Sequence, residues 1–170
     1  MQLEELYDYK NRFAEDVLTS ETMVRLITDD DNYDMSRAGE LMYTHVFPFE
    51  YMPDTVEMAG TYIFIEVEAQ RVTDDTFLNP VIYVWVISHK SKLRMPEGCI
   101  RTDKIVIELT KLLNGSRMYG LGGLDLYSVR RFSPIADYNG KLITFHAREF
   151  NKPYAARSSF IVPSNRKKGQ

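Results

Sequence analysis

The run Val81-Ile82-Tyr83-Val84-Trp85-Val86-Ile87 has no polar position. It is far shorter than the ~20 apolar residues a helix needs to cross a bilayer. Its β-branched and aromatic content reads as a strand. Successive strand side chains point to opposite faces, so a strand apolar throughout must be covered on both sides. Upstream, Thr61 to Ala69 has the same character: Ile63, Ile65, Val67 and Ala69 share one face, and Tyr62, Phe64, Glu66 and Glu68 the other. Arg71 to Pro80, with Asp74-Asp75, reads as a polar connection. The two strands therefore predict an antiparallel hairpin. One face of it can go to a helix, but the other needs a further layer, and a chain of 170 residues has few elements left to supply one.

The helix follows directly. Pro96 and Gly98 punctuate a loop, and Thr102 is a candidate cap with Asp103 in the first turn. Asn114-Gly115 tolerates a left-handed stop. At 100° per residue, Ile105, Val106, Leu109, Leu112 and Leu113 fall on one arc, the predicted core face. Ile107 falls outside it, among Lys104, Thr110 and Lys111.

Elsewhere the periodicity predicts a helix over 2–17, with Leu3, Leu6, Tyr7, Phe13 and Val17 recurring. A second, short helix capped at Thr19-Ser20 carries Met23, Val24, Leu26 and Ile27. The acidic run Asp29-Asp30-Asp31 then reads as a solvated loop. A calcium loop would need a glycine turn and a distal glutamate, which Asp29, Asp31 and Asp34 lack. Residues 29–59 read as an arm, irregular from Met35 on and rich in aromatics. After the central helix, the glycines from 115 to 123 read as a turn, Leu124 to Phe132 as a strand, Ser133 to Gly140 as a turn, and Lys141 to Phe150 as a last strand. The class is α+β: a mostly antiparallel sheet of two hairpins in β-β-α-β-β order on a central helix, with N-terminal helices and extended arms. Residues 1–151 form one domain, and 152–170 a basic tail carrying Lys152, Arg157, Arg166, Lys167 and Lys168. The acid-rich N-terminal stretch and this tail can help subunits adhere, or simply keep the protein soluble.

Little of this points to chemistry. The net charge of −3 gives no basic field for nucleic acid. The single cysteine, Cys99, excludes an intramolecular disulfide and a cysteine-based metal framework, and fits a reducing compartment. The N-terminus is acidic, without the apolar run of a signal peptide. His45, His89 and His146 lie on different elements, so neither metal nor cofactor is expected. His89 with Ser88 or Ser91 lacks an orienting acid and an oxyanion donor. Glu66 and Glu68 near Lys90 or Lys92, with Asp103 as a third acid, give the minority reading of a metal-dependent DNA-processing enzyme. Gly120-Leu121-Gly122-Gly123 precedes a strand rather than a helix and is no nucleotide fingerprint. Arg130, Arg131 and Arg148, near Tyr127 and Phe132, are read as inter-subunit salt bridges rather than nucleic-acid contacts.

Three segments carry a family likeness: Ile87-Ser88-His89-Lys90-Ser91 ending a strand; Gly98 and Arg101-Thr102-Asp103 opening a helix that closes in Leu112-Leu113-Asn114-Gly115; and Gly122-Gly123-Leu124-Asp125-Leu126-Tyr127-Ser128 with Tyr138 to Phe145 and Glu149-Phe150-Asn151. In this order, over roughly residues 60 to 151, the chain resembles the tail terminator group of neck and tail-completion proteins of long-tailed bacteriophages. The resemblance implies a structural virion protein rather than an enzyme. It implies a homo-oligomeric ring, commonly hexameric, that ends the tail tube and joins it to a head-side connector or stopper protein. DNA would pass through the lumen without sequence-specific binding, and no membrane is involved. The place is the virion neck, reached from the host cytoplasm during assembly. A head-completion or connector-adaptor protein is the alternative within that class. Tyr62, Phe64, Tyr83, Trp85 and Ile107 are the expected subunit-interface residues, as apolar groups that one chain cannot hide.

Overall fold

A computed structural model describes residues 4–50, 59–71 and 77–150. The expected basic tail at 152–170 lies outside the described residues. The fold is α+β, with helices α1 (Glu4–Thr19), α2 (Glu21–Thr28) and α3 (Arg101–Leu113) and a 3-10 turn at Met35–Leu41. The strands are β1 (Val46–Phe47), β2 (Thr61–Arg71), β3 (Phe77–His89), β4 (Asp125–Phe132), β5 (Tyr138–His146) and β6 (Glu149–Phe150). They form one sheet in the order β1-β2-β3-β5-β4, with β6 pairing the start of β3. All pairings are antiparallel except β1 with β2. The two hairpins, β2-β3 and β4-β5, meet where β3 pairs β5.

The helices lie on one face. Ile63, Ile65 and Val67 of β2, Ile82, Val84 and Val86 of β3, and Ile143 and Phe145 of β5 pack there against Phe13 and Val17 of α1, Met23 and Ile27 of α2, and Ile105 and Leu109 of α3. α2 follows its sequence signals. Ser20 caps it, accepting from the Met23 N–H at 3.4 Å, and all four expected apolar residues are buried. In α1 the buried stripe runs through Tyr9, Phe13, Ala14, Val17 and Leu18, so Tyr7 faces outward.

Four expectations are corrected. Thr102 does not cap α3. The helix begins at Arg101 after Ile100, and Thr102 is itself buried one position further in. Leu112 is exposed rather than core-facing, because Ile105, Leu109 and Leu113 already fill the arc against the sheet. The arm, whose residues 51–58 lie outside the described residues, is not irregular from Met35 on, since it contains the 3-10 turn and β1, which runs parallel to β2 with Val46 opposite Ile63. The strand boundaries also move. β3 starts at Phe77, and β5 starts at Tyr138, so Asn139-Gly140 is strand and not turn.

Pro80 and Gly140 explain these last two shifts. Pro80 lies where β5 gives way to β6, opposite neither, and its carbonyl accepts from the Ala147 N–H at 2.9 Å. A residue's N–H and C=O point to the same side of an antiparallel strand, so the donor that proline lacks is missing where the ladder is already interrupted. Gly140 sits opposite Ile87, and a side chain there would meet the Ile87 Cα at 2.9 Å. The residue is glycine because two backbones approach closely in the sheet.

Candidate interaction face

The face of the sheet turned away from the helices is built by strand alternation. Phe64, Trp85, Leu142 and Arg130 form one row across β2, β3, β5 and β4. Glu66, Tyr83, Thr144 and Ser128 form the next. No helix among the described residues packs on this face. Tyr62, Phe64, Tyr83 and Trp85 are thus brought together, whereas Ile107 lies on the opposite, helical side.

At one end the face closes on itself. Phe47, Tyr62, Phe64, Ile87 and Tyr138 form a second buried cluster, with Trp85 and Phe132 at its margin. The Phe47 and Phe64 rings lie 5.6 Å apart, and His45 stacks on Tyr62 at 5.3 Å. Tyr62 and Phe64 were expected as surface that the chain leaves open; they are buried within it instead. The reason is β1, which the sequence hides in an irregular segment and which sets Phe47 beside them. Tyr83 and Trp85 stack at 6.0 Å and stay half-buried. Burial pushes the Tyr83 hydroxyl up, and the Glu68 carboxylate adds to this by charge and hydrogen bond. Further along, Tyr127 stacks on His146 at 4.1 Å while remaining 65% exposed. Burial lowers His146, so its imidazole is neutral at pH 7. A cleft of about 580 Å3 opens beside His146 and Arg148, under the Gly122-Gly123 turn.

The residues of the enzyme reading are not assembled. Glu66 pairs with Lys10 of α1 around the edge of β2. Asp103 pairs with Lys141 at 3.1 Å on the helical side. Lys90 is held by Asp137 and Lys92 by Asp29. No cluster of three or more metal-binding side chains occurs among the described residues. His89 does meet Ser91, at 2.7 Å, but within an exposed turn, and Ser88 bonds Thr61 instead at 3.0 Å. Among the described residues no helix is long and apolar enough to cross a membrane.

Sequence reasoning missed one site of evident structural weight. Arg101 is 3% exposed and joins α2, α3 and the loop between β3 and α3. Asp29, read as part of a solvated acidic run, is its ionic partner and also the left-handed C-cap of α2. Burial opposes ionisation of Asp29, but Lys92 and Arg101 outweigh it and hold the carboxyl below its ordinary range.

The YomW family matches residues 20–147, from the cap of α2 to just past β5. The chain belongs to the YomW family. YomW is the name of a gene in the SPbeta phage region of Bacillus, which points to a phage-associated protein. Comparison with curated proteins and with solved structures gives no match. The YomW match takes in both hairpins and α3, and so the whole of the bare face on β2, β3, β4 and β5, while α1 and β6 lie outside it.

Proposed function

We propose that this YomW-family chain is a structural virion protein of a tailed phage, forming a ring that ends the tail tube and joins tail to head. One observation carries the reading: the chain presents different apolar surfaces on opposite sides of a single sheet. On the bare face Tyr83 and Trp85 are half-buried, with Tyr127 exposed beyond them. On the helical side Ile107 is 51% exposed, between Asp103 and Lys111. Two unlike patches on one subunit suit a heterologous contact, which closes into a ring when repeated by rotation. Covering the exposed half of Ile107 contributes about 1 kcal/mol, set against the cost of association. Phage membership and the order of hairpin, helix and hairpin support the same assignment.

Native mass spectrometry of the full chain, alone and with purified tail tubes, tests it. A closed oligomer in either sample supports the reading. A chain that stays monomeric in both, or that cleaves DNA with magnesium and stops doing so on Glu66→Ala, overturns it.

A further inference from the structure

Among the described residues the sheet ends in two unlike edges that no further strand covers. On one side, β1 pairs β2 only at Ile63 and Phe64, so among the described residues no strand flanks positions 65–71 there. The Ile63 N–H donates to the His45 carbonyl at 2.8 Å on that side. By alternation, Ile65, Val67 and Ala69 also turn their backbone groups outward. Among the described residues the Val67 N–H meets the neighbouring Glu66 carboxylate, at 3.0 Å, and no other acceptor. On the other side lies β4, exposed along most of its length. Val129 there is 42% exposed although it faces the helical layer, because α3 stops over β5, where Asp103 pairs Lys141. The outward backbone groups of β4 are a template for another strand, while its charges at Asp125, Arg130 and Arg131 and the register shift between Leu126 and Ser128 restrict which strand it accepts.

The charges match. Glu68 stands exposed on the bare face at the β2 edge, next to Glu66, which Lys10 of the same copy already holds. Arg130, opposite Leu142, stands on the same face of β4 and is exposed. We propose that copies of this chain join edge to edge, β4 of one copy pairing with residues 65–71 of β2 in the next, so that the sheet runs on across the joint. The inference rests on the ring reading and names its contact. Strand direction alternates through β2, β3, β5 and β4, so a rotated copy meets β4 antiparallel and keeps every bare face on one side of the wall. The next copy's α1, which packs over β2, then comes beside Ile107 and Val129 and covers them. Arg130 lies across the joint from Glu68, adding specificity of register and partner.

Charge reversal tests this. Arg130→Glu and Glu68→Arg are made in the full chain, singly and together, with circular dichroism as the check on folding; both positions are exposed. Each single variant is expected to keep its melting curve and to lower the ring population about tenfold, since like charges are then opposed at every joint. The combined variant, with the pair restored in reversed sense, is expected to recover the ring. Rings that form equally well in both single variants, or that the combined variant fails to recover, overturn the edge joint while leaving the ring reading in place. A parent chain that forms no ring, alone or on tail tubes, removes both.

Discussion

The Arg101 guanidinium donates through Nη1 to the Leu26 carbonyl oxygen at 2.9 Å, across 75 positions of sequence. That carbonyl belongs to the last turn of α2, where no intrahelical donor reaches it. The same guanidinium donates through Nε to the Lys92 carbonyl at 2.7 Å and through Nη2 to Asp29. One planar side chain thus fixes the end of α2 to the start of α3. Replacing it with methionine strands the two carbonyls and leaves Asp29 with Lys92 alone of its two cationic partners, at a cost of about 3 kcal/mol. Arg101→Lys is expected to recover little, because a single ammonium cannot match the guanidinium fork. Urea unfolding of both variants measures this.

Asp29 ties the same junction to pH. Its folded-state carboxyl titrates below its unfolded value, so the ionised form favours the fold. That stability is fully present above the unfolded value near 3.8 and is lost as the pH falls through the lower folded value. Unfolding midpoints followed downward from pH 5 are expected to drop less steeply in Asp29→Asn than in the parent.

At the alkaline end the sign reverses and the group differs. Burial, then the charge of Glu149, pushes the Tyr9 hydroxyl from 10.0 up to about 12. The folded chain therefore holds a proton that the unfolded chain releases first. Stability is retained below pH 10.0 and falls as the pH rises through about 12. Tyr9→Phe is expected to flatten that decline in an alkaline denaturation series.

Gly140→Ala sets a Cβ against the β3 backbone, where neither side can yield, and is expected to cost about 3 kcal/mol. Gly122→Ala is the control, because no atom lies within 4 Å of the Cβ it adds. Its effect is expected to stay within about 0.5 kcal/mol.

Trp85→Ala separates folding from assembly. The indole packs at the margin of the second cluster, stacks on Tyr83 and stays half-buried. Loss of this half-buried contact is expected to cost folding about 1–2 kcal/mol, and co-sedimentation with tail tubes considerably more. Unchanged melting together with unchanged co-sedimentation would count against the bare face as a contact surface.

What was legible in the sequence followed local rules. The capping serine and apolar stripe of α2 were readable because both lie within one helix. So was the outward Ile107, which breaks the polar side of α3. The alternation in β2 and β3 identified a two-sided sheet. The burial of Tyr62 and Phe64 was not readable, because β1 is two residues long and pairs in parallel from an irregular stretch. Nor was Arg101: its acceptors lie 9, 72 and 75 positions away, and no local pattern marks a cation for burial. Asn139-Gly140 misled because the pair favours tight turns, whereas here its glycine serves a close approach between strands.

The most direct measurement is electron cryomicroscopy of the intact phage particle. This account predicts density for several copies of the chain, arranged as a closed ring between tail tube and head, with the sheets continuous from copy to copy. A particle that lacks the chain, or holds it only as isolated single copies away from the neck, would contradict it.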